Sequence, residues 1–159
     1  MGQEIERKFL VRSDAWRWGA EGLYCRQGYL ASDISCTVRV RVLGDKGFLT
    51  VKGRMEGISR AEYEYGIPVQ DAHEMLDRLC PRPLIEKYRY LREYAGQTWE
   101  VDEFVGENQG LVVAEIELRT ADEAIALPEW VGREVTADPR YLNVNLAKRP
   151  YTTWGSEGG

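Results

Sequence analysis

Charged and apolar residues alternate one by one along most of this chain, and the alternation recurs in segment after segment. Successive side chains of a β-strand point to opposite faces, so Glu4, Glu6 and Lys8 share one face while Ile5 and Phe9 share the other. The same parity groups Arg39 with Arg41, Thr50 with Lys52, Glu62 with Glu64, Lys87 with Arg89, Glu100 with Asp102, and Glu115 with Glu117. The opposite faces carry Val38, Val40 and Val42, then Leu49 and Val51, Tyr63 and Tyr65, Trp99 and Val101, and Val112, Ala114, Ile116 and Leu118. Period-2 patterning of this kind predicts eight strands near 3–11, 24–31, 36–43, 47–53, 60–67, 86–94, 98–105 and 111–120.

Turn chemistry sets how these strands connect. Gly44-Asp45-Lys46-Gly47, Ala95-Gly96-Gln97 and Glu107-Asn108-Gln109-Gly110 read as hairpin connections, so consecutive strands should pair antiparallel. Helical signals open at Ser13-Asp14, run through Asp71 to Leu79 and through Ala121 to Ala126, and start again at Asp138-Pro139 toward Lys148. The expected architecture is α+β: an eight-stranded antiparallel β-barrel, a tunnel with a charged lumen, with helices packed on the outside over its apolar face. Residues 1–154 are expected to form one domain, and the Gly-rich end at 155–159 a disordered tail.

The charged face is unlike an ordinary solvent face, which mixes Ser, Thr, Lys, Gln and Asn. Like-charged residues at i and i+2 stand only about 6–7 Å apart along a strand, so they repel unless something of opposite charge lies between them. Carboxylates converging from several strands suit a hard divalent cation such as Mg2+ or Mn2+. Arginines and lysines converging beside them suit phosphate, with Arg as a bidentate fork and Lys as a point charge. A divalent metal together with a polyphosphate satisfies both sets.

Composition narrows the partners. At 159 residues with 43% apolar content, the chain can bury a core. A formal net charge of -5 argues against a mainly electrostatic nucleic-acid binder, while 21 Lys and Arg leave room for a local anion site. Three cysteines, Cys25, Cys36 and Cys80, lack CxxC spacing and come with no signal peptide, which points to packing roles in a reduced, cytoplasmic setting. No window reaches the roughly 18 apolar residues of a membrane span. The single histidine, His73, falls in a predicted helix among polar neighbours and reads as a surface or capping residue.

Taken in order, these segments resemble the CYTH superfamily, the triphosphate tunnel metalloenzymes. The resemblance rests on ExExK in Glu4-Ile5-Glu6-Arg7-Lys8, on Gln27-Gly28-Tyr29-Leu30, Arg39-Val40-Arg41, Thr50-Val51-Lys52-Gly53, Glu62-Tyr63-Glu64, Lys87-Tyr88-Arg89, Val101-Asp102-Glu103-Phe104 and Ala114-Glu115-Ile116-Glu117-Leu118. It implies a tunnel that binds a small-molecule triphosphate and Mg2+ or Mn2+. By similarity, Lys8, Arg39, Arg41, Lys52, Lys87 and Arg89 would cradle the phosphates. Metal would be held by Glu4 and Glu6 with one of Glu115 and Glu117, and a second ion or a water by Glu62, Glu64, Asp102 and the remaining late glutamate. Glu64 is the candidate general base, Lys8 a catalytic cation, and the Tyr29 hydroxyl a group that reaches substrate. Arg54 and Lys148 are expected either to close a tunnel mouth or to face solvent. Hydrolysis of inorganic tripolyphosphate to pyrophosphate and phosphate is the leading expectation, since no base-recognition pocket is evident. The alternatives are a thiamine or nucleoside triphosphatase, a class IV adenylate cyclase, or a noncatalytic polyphosphate-binding module. A homodimer is compatible with such a barrel.

Overall fold

The computed structural model describes residues 2–19, 22–33 and 35–155. Eight strands build its frame: β1 (Gln3–Val11), β2 (Leu23–Ser32), β3 (Cys36–Leu43), β4 (Lys46–Gly53), β5 (Ser59–Ile67), β6 (Ile85–Tyr94), β7 (Gln97–Val105) and β8 (Val112–Glu117). Every pairing between them is antiparallel, in the order β5-β4-β3-β2-β6-β7-β8-β1, and β1 then returns to β5 to close the ring. Closure places Lys8 opposite Glu115 on one side of β1 and Glu4 opposite Arg60 on the other. A closed ring leaves no free sheet edge. The β6–β7 hairpin turns through Ala95 and Gly96, both with positive φ (51° and 79°), as the twist of a two-residue hairpin requires.

A ninth strand, β9 (Val131–Glu134), pairs with the distal half of β1, beyond the stretch that β5 uses. It carries only four residues, too few to show an alternation, so the sequence pattern missed it. Helix α1 (Val69–Arg78) lies on the outside of β3 and β4, where Ala72, Leu76 and Cys80 pack against Val40 and Val42. Gly28 permits this contact, because a Cβ there would meet the Cys80 Cβ at 2.8 Å. Trp99, Trp130, Phe9, Trp16 and Val101 form a second core on the opposite outer wall.

The third core lies over one end of the ring. Ile85, Phe104, Leu111 and Val113 meet Tyr141, Leu146 and Trp154 of the C-terminal segment. By strand parity, Ile85, Phe104 and Val113 belong to the same face as Lys87, Asp102 and Glu115, so the inner face turns apolar at this end. Helix α2 (Asn143–Lys148) therefore sits across the end of the barrel, with Leu146 buried beneath it.

Three helical expectations change. The segment at Ser13-Asp14 makes a single turn, closed by Arg17 N–H donating to the Asp14 carbonyl, and not a helix. Residues 121–126 run as a non-helical strap before Pro128. Thr120 Oγ1 donates to Asp122 there, and Glu123 takes the Arg119 N–H, local bonds that compete with a helix too short to nucleate. The segment from Asp138 divides into a 3-10 turn at Pro139–Tyr141 and α2, separated by Leu142 in an extended conformation (φ −68°, ψ 134°). Of the tail expected at 155–159 to be disordered, all but Gly155 lies outside the described residues.

Candidate active site

Alternation along the strands sends the charged residues inward, as their parity requires. The lumen encloses a cavity of about 80 Å3 lined by Glu4, Glu6 and Lys8 of β1, Tyr29 of β2, Thr37, Arg39 and Arg41 of β3, Lys52 of β4, Arg60 of β5, Lys87 and Arg89 of β6, Glu100 of β7, Glu115 and Glu117 of β8, and Leu142, Asn143 and Val144 of the C-terminal segment. Thr37, Arg60, Leu142 and Val144 also line an adjoining hollow of about 570 Å3, together with Arg54 and Lys148.

Seven cations and five carboxylates thus share one small space. Lys52 Nζ donates to both oxygens of Glu4, at 2.8 and 3.2 Å, and lies 3.5 Å from Glu62, while Arg60 Nε approaches Glu4 at 3.4 Å. Burial opposes ionisation of Glu4, yet the charge and hydrogen bond of Lys52 overcome it and bring the Glu4 pKa down to about 2. Lys8 Nζ is turned toward the Tyr141 carbonyl at 3.0 Å, tying the lumen to the C-terminal segment.

Two features mark the lumen as built for ligands of both signs. Arg39 and Arg41 are 7% and 8% exposed, yet the Nε of each has no hydrogen-bond partner among the described residues. Buried guanidinium N–H groups left unsatisfied are costly. Burial, then Arg39 and Arg89, push the Arg41 pKa down, so this cluster lacks negative charge. On the acidic side, Glu6 is held well above the usual carboxyl range by burial and by the charges of Glu115 and Glu4. It shares a hydrogen bond with Glu115, whose pKa is lowered: burial opposes that shift, and Lys8 together with the bond from Glu6 outweighs it. Glu6 thus feels the negative charge of its neighbours more than the positive charge of Lys8. Glu4, Glu6, Glu115 and Glu117 offer only carboxylate oxygens, the donors a hard divalent ion prefers. As they stand, no three acidic, His or Cys side chains among the described residues converge into a ready-made ion cage.

Three expected metal ligands, Asp102, Glu62 and Glu64, do not line this cavity but pair with cations that do. Asp102 is fully buried and receives Lys87 Nζ at 2.8 Å and the Arg89 fork at 2.8 and 2.9 Å. Despite its burial, those two cations hold its pKa far below the usual range. Glu64 accepts from Arg41 and from Thr50 Oγ1, both at 3.0 Å, and Glu62 stands beside Lys52. Each of these carboxylates is thus paired with a cation that lines the cavity. Glu64, expected as the general base, is thus held beside the lining residue Arg41.

Tyr29 does reach the cavity, next to a bulge that shifts the β2–β3 register between Tyr29 and Ala31, and burial raises its pKa. Sequence reasoning did not select Thr37, Arg60 or Asn143. Parity with Arg39 and with Glu62 would have found the first two, whereas nothing in the local pattern announces Asn143. His73, on α1, meets Arg26 Nη1 at 2.9 Å, away from the lumen. The three cysteines are free, with Cys25 and Cys80 buried. No described helix is long and apolar enough to cross a membrane.

Comparison with known proteins agrees with this geometry. The CYTH domain family model matches residues 2–151. An inorganic triphosphatase of Acetivibrio thermocellus is 59% identical over 151 residues, 95% of this chain and 97% of that protein. An inorganic triphosphatase of Nitrosomonas europaea is 40% identical over 148 residues, 91% of this chain and 96% of that protein. A crystal structure of an inorganic triphosphatase superposes with a TM-score of 0.65 at 36% identity, covering 90% of this chain and 96% of that one.

Proposed function

The chain belongs to the CYTH domain family, and on that premise we propose that it is a divalent-metal-dependent inorganic triphosphatase, cleaving tripolyphosphate to pyrophosphate and phosphate. The observation that carries this reading is the pair of buried, partly unsatisfied guanidiniums of Arg39 and Arg41 facing a crowded set of carboxylates across one narrow lumen. A polyphosphate accompanied by a divalent ion supplies both missing charges. The relatives named inorganic triphosphatase favour the inorganic substrate over thiamine or nucleoside triphosphates, over cyclase chemistry and over a noncatalytic binding module.

Arg39, Arg41, Lys52, Lys87 and Arg89, with Lys8 and Arg60, hold the phosphate chain in this reading. Asp102, Glu62 and Glu64, through their ion pairs, keep those cations oriented, so little rearrangement accompanies the growth of charge in the transition state. Glu4, Glu6, Glu115 and Glu117 are the residues suited to hold the ion. The family's triphosphatases are generally divalent-metal dependent; Mg2+ and Mn2+ are the ions we propose, and such an ion supplies Lewis acidity and a template for in-line attack. The proton of the attacking water passes to a lumen carboxylate. Tyr29, buried at the wall, donates from its neutral hydroxyl.

Phosphate release from tripolyphosphate, ATP and thiamine triphosphate, with Mg2+, Mn2+ or chelator, tests this directly. We expect metal-dependent release strongest with tripolyphosphate. Cyclic AMP from ATP, or tight tripolyphosphate binding without turnover under any metal, would replace the reading.

A further inference from the structure

Asn143 is the first residue of α2 and lines the tunnel. Its Oδ1 accepts from Lys87 Nζ at 3.2 Å, while the same ammonium donates to Asp102 at 2.8 Å. An ammonium only donates, so the amide must present its oxygen to Lys87 and turn its NH2 away. Asp102 and Asn143 together occupy two of the three ammonium protons and leave the third for the lumen. Among the described lining residues Asn143 is the one amide; the other side-chain donors are cations or hydroxyls. A neutral donor adds no repulsion to a cluster in which Arg41 already faces Arg39 and Arg89.

Position favours a fixed donor here. Leu146 and Tyr141 anchor the surrounding segment in the core over the barrel end, and Lys8 holds the Tyr141 carbonyl. We infer that Asn143 contacts the substrate, its NH2 donating to a non-bridging oxygen of the phosphate that Lys87 holds, while its Oδ1 aims the remaining Lys87 proton at the same group. This rests on the triphosphatase reading for its ligand. The C-terminal segment, remote in sequence from every charged strand, would thereby complete the phosphate site.

The test uses full-length Asn143→Asp and Asn143→Ala, with tripolyphosphate binding measured by calorimetry, KM and kcat by phosphate release, and folding by thermal melting. Asp keeps an oxygen for Lys87 but turns a second oxygen, instead of N–H donors, toward the phosphate. Expected are a Kd and KM raised more than tenfold in Asn143→Asp, a smaller rise of about threefold to tenfold in Asn143→Ala, and melting close to wild type in both. Wild-type affinity in Asn143→Asp would overturn the inference, whether or not Asn143→Ala is impaired, because only an orienting oxygen would then matter. If the wild type binds tripolyphosphate without hydrolysing it, the hydrolase reading fails and the order of Kd values still decides the role of Asn143. A wild type that does not bind tripolyphosphate overturns both.

Discussion

Glu6 and Asp102 are carboxyls on the same inner face, and their neighbours shift their pKa values in opposite directions. Glu6 meets burial and the charges of Glu115 and Glu4, which raise its pKa; Asp102 meets Lys87 and Arg89, which lower its pKa against its own burial. A carboxyl with a raised folded-state pKa costs stability progressively as pH rises above its unfolded value, because the folded protein then resists the ionisation that the unfolded chain undergoes. Glu6→Gln should therefore melt higher than wild type in metal-free buffer at neutral pH, with a difference that shrinks below about pH 4.5. A gain on the order of 1 kcal/mol would appear as about 2–4 °C. The same variant should lose metal-dependent phosphate release, and retention of that activity would remove Glu6 from the ion site. Asp102→Asn should behave in the opposite way. Leaving Lys87 and Arg89 buried without their counter-charge should cost about 3–5 kcal/mol in urea denaturation, with Mn2+ affinity nearly unchanged if Asp102 holds cations and not metal. At this scale the chain was largely legible, since inward parity alone selected Glu4, Glu6, Lys8, Arg39, Arg41, Lys52, Lys87, Arg89, Glu115 and Glu117, all of which line the cavity. Parity could not show that Asp102 is fully buried against Lys87 and Arg89, because a face does not say whether a side chain reaches the space or stops against a neighbour.

Among the elements, the strands were readable because each shows its own alternation, and observed boundaries fall within a few residues of the pattern, the widest gap being at the end of β8. α1 was readable for a similar reason: Ala72, Leu76 and Cys80 repeat at helical spacing and bury one stripe. That stripe lies outside the barrel wall, so Leu76→Ala should cost about 2–5 kcal/mol in denaturant while KM for tripolyphosphate stays at its wild-type value. A raised KM would mean that α1 sets the shape of the lumen. The short elements were not readable. β9 gains its identity only from the free stretch of β1 that accepts it, and residues 121–126 carry helix-forming composition without the length to nucleate.

At the scale of the whole molecule, a chain of net charge -5 lines its cavity with seven cations against five carboxylates. Tripolyphosphate must approach an acidic exterior to reach a basic lumen, and salt should weaken its binding by screening the cradle. KM should therefore rise between low and physiological ionic strength, and a flat response would argue against an electrostatic cradle. Acid should unfold the barrel in a definite window. Glu4 titrates near 2 in the folded protein against 4.5 for a free glutamate, so its contribution is complete above about pH 4.5 and is lost as pH falls toward 2. Glu4→Gln should flatten the melting curve against pH across that interval.

The sequence alone determined the barrel and its charged interior, because strand parity is a local property and every strand repeats it. It also selected ten charged side chains that line the cavity. Only the tertiary structure decided which carboxylate pairs with which cation, Glu64 with Arg41, Glu62 with Lys52, and Asp102 with Lys87 and Arg89. It also decided that the C-terminal segment lies across the barrel end and brings Asn143 to Lys87, 56 positions away in the chain. The physical reason is that ion pairing and end closure depend on which strands become neighbours when the ring closes, and no local period encodes that.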